Sequence, residues 1–503
     1  MNKKTILKAV NIFYNKNMIY FSALAQHLNN MPYAVIFILY AAYTMLLIIH
    51  IILNKEDVKA AAGWIGLVIL SPLLGGLIYI VLGINRIKRK AHRMKQITYK
   101  KNISTIKKKI PPEIAAKLTP ENISFINLSM HIHENLPVLG NSVEPLINGE
   151  QAYPVMIDLI KNAKKEVLLE SYIFDYDSLF EQFFAAFKQA SANGAKIKVL
   201  IDAIGVGTAR YKMQKRLREI KNLETGIFLP PKFIVSLPFV NLRNHRKMLI
   251  ADGKTAVFGG MNITKNSLVK TAPSKNAVQD ITFKIEGGVI KQLSALFEAD
   301  WHFASKKHFT PVEHAPEVKD VKSICRLISD GPDQSYSKIE TLVTAMLGQA
   351  KHKIDIITPY FLPNETVLTA IEIASMKNVE VNVIIPKKTD IPGMDYAMSA
   401  NYERLLSRNV NIYLNPMPFD HSKACVIDGA WTLIGSANWD ERSFKLNFES
   451  CVECVSKDIA AEVEKYINSK KRISKKQMFK TYAKMSLHKR IRNNIFRLLT
   501  PYY

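Results

Sequence analysis

Two apolar stretches near the start of the chain are each long enough to cross a membrane. Residues 33–53 are interrupted only by Thr44 and His50, and residues 60–84 contain no charged side chain. About 20 consecutive apolar residues span the hydrocarbon core of a bilayer as a helix. A core helix of this length would carry a polar stripe, and a signal peptide would have a shorter apolar run closer to the start. The pattern therefore predicts a transmembrane helical hairpin over residues 31–85.

Farther along the chain, short β-like runs alternate with helical segments. Strands are predicted at residues 167–174 and 197–202, with a helix at 178–190 between them, and the same order returns from residue 353. This alternation predicts an α/β fold in which helices flank a mixed or parallel sheet. A repeat of about 180 residues is too long for a solenoid unit. It indicates two homologous domains related by a pseudo-two-fold axis.

These patterns divide the chain into six predicted segments. The folded part begins with the hairpin and ends with the second of the two homologous domains. In chain order, the segments are a basic tail over 1–30 that suits a membrane interface, the hairpin over 31–85 with spans 33–53 and 60–84, a basic linker over 86–120, a first α/β domain over 121–315, a second over 316–470, and a basic tail over 471–503.

The basic residues lie mostly outside the two α/β domains. The chain has 69 Lys and Arg against 43 Asp and Glu, a net charge of +26. Three acid-free segments hold this excess, with four basic residues in 1–30, eleven in 86–109 and twelve in 465–503. A nucleic-acid-binding domain would carry such charge on its own folded face, so no nucleic-acid partner is expected. Basic segments beside apolar spans indicate anionic membrane lipids as partners.

The charge distribution also predicts an orientation in the membrane. The loop between the apolar stretches, residues 54–59, is electrically balanced, whereas the run from Arg86 is heavily basic. The positive-inside rule places that run in the cytoplasm, together with both tails and the large C-terminal body. We therefore expect an integral, multi-pass membrane protein. Its four cysteines would lie in a reducing compartment, where structural thiols are expected rather than disulfides or a metal site.

The strongest chemical signal is a motif that occurs once in each predicted domain. The shared spacing is His-x-Lys-(x)4-Asp-(x)6-Gly-x-x-Asn, and its functional positions are His245, Lys247, Asp252 and Asn262, then His421, Lys423, Asp428 and Asn438. One copy alone would usually be a solvated strand face, but two copies in a duplicated fold indicate a shared function. His and Lys two residues apart project from one side of a strand, and Asp-Gly predicts a hairpin turn.

These side chains suit phosphoryl transfer without a metal ion or a cofactor. One neutral imidazole can attack phosphorus while the other protonates the leaving alcohol. Ammonium and amide groups can stabilise the non-bridging oxygens. Asp280 and Glu449 lie 35 and 28 residues after the histidines of their own copies, and each can hydrogen-bond the distal nitrogen of an imidazole. Asp252 and Asp428 are also catalytic candidates, although an Asp-Gly turn explains both structurally.

The paired motifs resemble those of the phospholipase D superfamily. With the N-terminal hairpin, the chain resembles the bacterial cardiolipin synthases of that superfamily nearly from end to end. The likeness is carried by Leu-Arg-Asn-His-Arg-Lys around His245, by Gly-Ser-Ala-Asn-Trp-Asp-Glu-Arg-Ser-Phe-Lys-Leu-Asn-Phe-Glu ending at Glu449, and by Trp64, Pro72 and Gly76 in the anchor. The resemblance implies transfer of a phosphatidyl group between two phosphatidylglycerol molecules, with release of glycerol, at the bacterial cytoplasmic (inner) membrane.

The resemblance also implies residue roles. His245 would form a phosphohistidine intermediate, and His421 would be the acid and base. Phosphate binding would fall to Lys247, Lys423, Asn262 and Asn438. Residues 278–280 are Val-Gln-Asp where many members have Trp-Arg-Asp, and Ile-Thr-Lys-Asn after Asn262 also departs from the common pattern. A membrane-bound phospholipase D that hydrolyses lipids, or one with another alcohol acceptor, is therefore the alternative.

Overall fold

A computed structural model describes residues 33–55, 58–83, 110–116, 118–230, 242–271, 274–313, 323–331 and 337–498. The chain forms two compact units, residues 1–86 and residues 87–503. The basic tail over 1–30 and the linker up to residue 109 lie outside the described residues. The interpretations of those two segments stay predictions.

The N-terminal unit begins with one long apolar helix. Helix α1, Tyr33–Asn54, has 22 residues without an acidic group in its first turn or a basic group in its last. Within the described residues it is the one helix that is long and apolar enough to cross a membrane. The first predicted span therefore corresponds to a helix of the required length.

The second predicted span is broken into shorter pieces. It consists of α2, Val58–Leu70, then α3, Pro72–Ile78, and a π-helical turn, Tyr79–Gly83. Pro72 has no N–H to donate within a helix, and it disfavours a helical conformation at Ser71, whose φ is −148°. The second predicted span therefore does not form one continuous helix, and its crossing of the membrane stays a prediction.

After this break the chain folds back along α2 instead of continuing away from it. A Cβ atom on Gly75 would lie 2.5 Å from the carbonyl oxygen of Leu67, so the close approach requires glycine. Farther on, the Tyr79 ring packs edge-on against Trp64 of α2, and its Oη lies 2.8 Å from Nδ1 of His50 near the end of α1. Residues 58–83 thus return to the end of α1 from which they started.

The described part of the second unit contains two large sheets and two two-stranded sheets, β8 with β15 and β12 with β18, and its first half supplies strands β1–β9. The strands are β1 Val138–Leu139, β2 Ser142–Ile147, β3 Glu166–Ser171, β4 Lys196–Asp202, β5 Leu223–Phe228, β6 Met248–Ala251, β7 Thr255–Gly259, β8 Val278–Gln279 and β9 Ile281–Glu286. The helices are α4 Pro112–Ala115, α5 Pro120–Met130, α6 Asn148–Asn162, α7 Ser178–Ala192, α8 Ala209–Leu217 and α9 Val289–Ser305. Seven of the strands form a mixed sheet in the order β2-β9-β7-β6-β3-β4-β5.

The second half repeats this arrangement. Its strands are β10 Ile324–Asp330, β11 Lys353–Ile357, β12 Phe361–Leu362, β13 Glu380–Pro386, β14 Asn411–Asn415, β15 Phe419–Asp420, β16 Ala424–Ile427, β17 Trp431–Gly435, β18 Trp439–Asp440, β19 Glu449–Val455 and β20 Lys475–Lys476. Its helices are α10 Lys338–Gln349, α11 Glu365–Met376, α12 Met394–Ser399, α13 Tyr402–Ser407, α14 Glu441–Lys445, α15 Lys457–Ile473, α16 Phe479–Ala483 and α17 Leu487–Leu498. The sheet order is β1-β10-β19-β17-β16-β11-β13-β14-β20. Without its edge strands β1 and β20, this order matches the first sheet strand for strand, which confirms the predicted α/β duplication.

The two sheets share a central core because side chains alternate between the faces of each strand. Met248 and Ile250 of β6 belong to the same buried cluster as Ala424 and Val426 of β16, and α9 and α15 complete it. The intervening Leu249 points into an outer core with α6 and α7. All four cysteines are buried as free thiols, as expected for structural residues.

Two segments belong to the second domain although they lie outside its predicted range. Strand β1 pairs with β10 at the edge of the second sheet, and α5 packs its buried face into the second outer core. At the other end, β20 pairs with β14. Helix α17 packs on α12 through Phe496 and Tyr396, and Arg497 donates a hydrogen bond of 3.2 Å to Asn401. The basic stretch after residue 470 is therefore folded onto the body up to residue 498.

Candidate active site

The histidine segment of each domain is anchored to the other domain. The backbone N–H of His245 donates to the carbonyl of Phe448 over 3.0 Å, and that of His421 donates to Gln279 over 2.8 Å. Strand β15, directly before His421, pairs in parallel with β8 of the first domain. Each histidine is thus tied to the residue that precedes a carboxylate of the opposite copy.

Those carboxylates contact the imidazoles crosswise. Nδ1 of His245 lies 3.0 Å from Oε1 of Glu449, and Nδ1 of His421 lies 2.9 Å from Oδ2 of Asp280. Both carboxylates are buried. The sequence placed each carboxylate after the histidine of its own copy, but the contacts run between the copies. A carboxylate on Nδ1 favours the tautomer with the proton there and leaves Nε2 free to act as a base or nucleophile.

Each histidine also has a buried lysine beside it. Nζ of Lys247 donates to the carbonyl of His245 over 2.6 Å, and Nζ of Lys423 donates to that of His421 over 2.6 Å. A Cβ atom on Gly260 would lie 3.3 Å from Nζ of Lys423, so this glycine of the first copy leaves room for the lysine of the second. Two ammonium groups therefore flank the paired imidazoles from both domains.

The two motif asparagines differ in their contacts. Oδ1 of Asn262 accepts a hydrogen bond of 3.2 Å from the backbone N–H of Ile173, which holds the end of the segment after β3. Oδ1 of Asn438 is buried and has no hydrogen-bond partner among the described residues. Buried polar groups normally have a partner, so the Asn438 amide is the better placed of the two to meet a ligand.

Both histidines and both asparagines line one cavity of about 900 Å³. Asp280 also reaches its wall. Four further cationic side chains line the same cavity: Arg243, Lys275, Lys388 and Arg442. Sequence reasoning gave these four no role, although two of them stand inside the segments that carry the family likeness. The cavity thus offers several positive charges around the imidazoles, which suits an anionic ligand.

Burial sets the protonation of the site. Burial lowers the pKa of His245 to about 4, although the charge of Glu449 acts to raise it. Burial also lowers the pKa of Lys247 to about 7. It lowers the pKa of Lys423 to about 8, and together with Lys423 it lowers the pKa of His421. At neutral pH the His245 imidazole is therefore uncharged, as a nucleophile must be.

The motif aspartates do not reach the cavity. Asp252 accepts hydrogen bonds from the backbone N–H groups of Lys164, Lys165 and Glu166, and Asp428 accepts the equivalent three from residues 351–353. Both aspartates have a φ of 52°, at the hairpin turn remote from the histidines. This placement corrects their catalytic assignment: they hold the hairpin against the neighbouring strand, as their Asp-Gly context also suggests.

A duplicated α/β fold in which each copy contributes one histidine to a single cavity, with a lysine beside each histidine, defines a phospholipase D-like protein. The family model described as "Cardiolipin synthase, PLD-like domain" matches residues 156–301 and 343–471, which is more than half of the chain. The chain therefore belongs to the family of cardiolipin synthases with phospholipase D-like domains.

Comparisons with individual proteins agree with this placement. The chain is 29% identical over 469 residues to the major cardiolipin synthase ClsA of Bacillus subtilis, covering 91% of this chain and 96% of the relative. It is 30% identical over 411 residues to a cardiolipin synthase of Geobacillus thermodenitrificans, covering 79% of each. Among solved structures, phosphatidylserine synthase of Haemophilus influenzae matches 76% of this chain and 97% of its own, with a TM-score of 0.58 at 17% identity. The last comparison concerns the fold alone.

Proposed function

We propose that the protein is a cardiolipin synthase that joins two phosphatidylglycerol molecules into cardiolipin and glycerol. One observation carries the proposal: His245 and His421, each with a buried lysine, line a single cavity in a member of the cardiolipin synthase family. Two imidazoles at one phosphodiester provide a nucleophile and an acid without any further group.

In the first half-reaction, Nε2 of His245 attacks the phosphorus of the donor lipid. The bond between phosphorus and the oxygen of the headgroup glycerol breaks, and His421 gives its proton to that oxygen. Lys247, Lys423 and the Asn438 amide stabilise the charge on the non-bridging oxygens. A bound phosphodiester is itself anionic, and it raises the pKa of the nearby His421 so that the imidazole carries the proton it must donate.

The second half-reaction reverses these roles. A hydroxyl group of a second phosphatidylglycerol loses its proton to His421 and attacks the phosphohistidine, and the bond between phosphorus and Nε2 of His245 breaks. Glu449 and Asp280 act as positioning residues, because each holds Nδ1 of one imidazole and so directs Nε2 toward phosphorus. Asn262 supports the wall of the cavity through the backbone of Ile173.

Product analysis tests the proposal directly. The full-length enzyme in detergent, given radiolabelled phosphatidylglycerol and no nucleotide, is expected to release cardiolipin and glycerol in equal amounts. His245→Ala and His421→Ala should each abolish both products. Phosphatidic acid as the sole lipid product would favour the hydrolase alternative. No conversion by the folded wild-type enzyme would contradict the proposal.

We further propose that α17 is a membrane-facing surface of the catalytic body. Its apolar side chains at i, i+4, i+8 and i+11 are exposed: Leu487, Ile491, Ile495 and Leu498. Basic residues interleave with them, which suits anionic lipid. The helix packs against α12, whose Met394 lines the cavity, so a lipid surface at α17 would lie next to the site.

A double substitution tests this surface. Ile491→Ser with Ile495→Ser should raise the KM for phosphatidylglycerol in vesicles, because the helix would lose apolar contact with the lipid. The same variant should keep its rate on substrate dispersed in detergent. An unchanged KM in vesicles would contradict the proposal.

We propose that the body and the basic linker face the cytoplasm. The run from residue 86 to 109 holds more positive charge than any other segment beside the membrane anchor, and the positive-inside rule places such a segment on the cytoplasmic side. The folded-back path of residues 58–83 supports a single crossing by α1. This differs from the two crossings predicted by apolar length, and it would place Tyr33 and Gly83 toward opposite faces of the bilayer.

A further inference from the structure

The two halves of the cavity are not equivalent, although the fold repeats. Tyr172 is the first residue after β3, and Tyr360 is the third residue after β11. The Tyr172 ring packs edge-on against His245 at 5.3 Å between centroids, and the Tyr360 ring against His421 at 6.5 Å. Each proposed catalytic imidazole therefore has a tyrosine beside it, and the partners of these tyrosines differ.

Tyr360 has a carboxylate as its partner, whereas Tyr172 has a guanidinium. Oη of Tyr360 donates to Oδ1 of Asp390 over 2.5 Å. Burial and this carboxylate raise the pKa of Tyr360, so that its phenol stays protonated and keeps donating. Beside His245, the Tyr172 phenol interacts with Arg243, which lies two positions before that histidine. The residue two positions before His421 is Phe419, which has no charge. The tyrosine beside His421 thus contacts a carboxylate, and the tyrosine beside His245 contacts a guanidinium.

The loops after the parallel strands create this difference. In the first domain the loop after β4 reaches Tyr172 with Gly205, where a Cβ atom would lie 2.0 Å from the Tyr172 carbonyl oxygen. There is no room for a side chain at that point. In the second domain the loop after β13 reaches the cavity with Lys388, Thr389 and Asp390. The loop after β13 therefore brings a carboxylate to the cavity, whereas the loop after β4 brings a glycine.

Asp390 is held in position yet open to a ligand. The backbone N–H and the hydroxyl of Thr389 both donate to Oδ1 of Asp395, over 2.7 and 2.6 Å, which fixes the loop. Asp390 itself is exposed and lines the cavity. A carboxylate can accept about four hydrogen bonds, so one donated by Tyr360 leaves most of its capacity facing the cavity.

We propose that Tyr360 and Asp390 form a polyol subsite beside His421 that holds the glycerol headgroup of phosphatidylglycerol. The inference rests on the proposed function, with His421 as acid and base. Asp390 accepts hydrogen bonds from the hydroxyls that do not react, which are two in the leaving glycerol of the donor and one in the headgroup of the acceptor. In the second half-reaction the reacting hydroxyl gives its proton to His421 as its oxygen bonds to phosphorus and the bond from phosphorus to His245 breaks. The leaving glycerol of the donor and the glycerol of the acceptor occupy the subsite in turn, because the second half-reaction is the reverse of the first.

The subsite selects the acceptor alcohol. Water or a monohydric alcohol can give its proton to His421 and attack the intermediate. Neither has a second hydroxyl that could donate a hydrogen bond to Asp390. A hydrogen bond to a charged group contributes enough to change a rate ratio by roughly 10- to 100-fold. Discrimination between glycerol and a simple alcohol is therefore expected to depend on Asp390.

A partition experiment on the full-length enzyme tests this. Radiolabelled phosphatidylglycerol in detergent is given a mixture of deuterated glycerol and ethanol, and the ratio of headgroup-exchanged phosphatidylglycerol to phosphatidylethanol is measured. Asp390→Asn is expected to lower this ratio by roughly 10- to 100-fold, and Tyr360→Phe by a smaller factor in the same direction. Because both products arise from one intermediate, the ratio is independent of how much enzyme is folded.

Asp175→Asn is the matched control, since Asp175 lines the same cavity from the first domain. Its ratio should equal that of the wild type. An unchanged ratio in Asp390→Asn, or a ratio that falls in Asp175→Asn instead, would overturn the subsite. A wild-type enzyme that forms neither cardiolipin nor exchanged phosphatidylglycerol would instead overturn the proposed function.

Discussion

Each imidazole of the site depends on a carboxylate from the other domain. Glu449 is buried against His245. In spite of this burial, the hydrogen bond from His245 and the charge of Lys247 keep the pKa of Glu449 lowered. The carboxylate is therefore ionised at neutral pH and accepts the Nδ1 proton of the histidine. Because Asp280 contacts Nδ1 of His421 from the first domain, neither domain contains a complete half-site of its own.

Replacing one of these carboxylates by its amide should reduce turnover without unfolding the protein. For Glu449→Gln we expect kcat to fall by roughly 10²- to 10⁴-fold with a small change in KM, since the wrong tautomer of His245 would be favoured. Steady-state kinetics in detergent measures this, with Glu286→Gln on β9 as the control. Full turnover with an unchanged pH profile in Glu449→Gln would exclude the positioning role.

The lowered pKa values predict an unusual pH dependence of kcat/KM, which reports the free enzyme. The acid limb should lie near the pKa of His245, about 4, because the imidazole is neutral and nucleophilic above it. The alkaline limb should lie below the ordinary imidazole value, because His421 must carry a proton and burial together with Lys423 lowers its pKa. A further fall is expected between about 7 and 8, where Lys247 and Lys423 lose their protons. An acid limb at the ordinary imidazole value of 6.5 would contradict this assignment.

Sequence reasoning named His245 and His421 as candidate reactive side chains, because one spacing occurs twice, and Asp280 and Glu449 as their candidate partners. It did not give which carboxylate contacts which imidazole. The crosswise contacts depend on the pairing of β8 with β15 and on the bridge from Asn244 to Phe448. These pairings join residues more than 100 positions apart, so local spacing does not predict them. Tyr360 and Asp390 lie outside the repeated motif, so its spacing gave them no role.

At the scale of elements, the two hairpins are held by their turns. The aspartate at each turn adopts a left-handed conformation. Its carboxylate accepts hydrogen bonds from three backbone N–H groups at the start of the neighbouring strand, which is β3 for Asp252 and β11 for Asp428. Asparagine and aspartate tolerate this conformation better than other residues with a side chain. The hairpin that begins with a histidine is therefore fixed at its far end by an aspartate of the same motif.

Asp252→Ala is expected to destabilise the fold and to leave the chemistry intact. The loss of three hydrogen bonds to a carboxylate should lower the free energy of unfolding by about 1–3 kcal/mol. Thermal unfolding in detergent measures this, and Asp252→Asn, which keeps an acceptor and the turn conformation, should lose less. A large fall in kcat at unchanged stability would restore a catalytic role to Asp252.

Element prediction succeeded where the pattern was strong and local. The strands β3, β4, β11 and β13 lie where buried apolar runs placed them, because parallel strands covered on both faces are nearly continuous in hydrophobic residues. The second predicted span is not one continuous helix in the structure. Length and apolarity do not reveal that the backbone folds back at Pro72, which depends on the contacts of Gly75 and Tyr79.

At the scale of the whole molecule, the membrane anchor and the catalytic body are separate units. The two crossings that the sequence predicts stay a prediction. The edges of the second domain were unpredictable from composition, because β1 and α17 complete it from distant parts of the chain. Strand β1 has only two residues, and the regular spacing of apolar residues in α17 does not reveal which part of the body the helix packs against.

Cysteine labelling can determine the number of crossings. The four native cysteines are buried, so single introduced cysteines report accessibility. With one crossing, Ser22→Cys should react with a membrane-impermeant maleimide in intact cells, and Ser104→Cys should react only after the cells are opened. Protection of both positions in intact cells would indicate two crossings, as the sequence alone predicted.

The central claim is that one phosphodiester meets both imidazoles, with His245 as the nucleophile. Mass spectrometry of the enzyme after quenching with phosphatidylglycerol tests this most directly. We predict a phosphatidyl adduct on His245 that is transient in the wild type and absent from His245→Ala. An adduct on His421, or on neither histidine while cardiolipin is formed, would contradict the account.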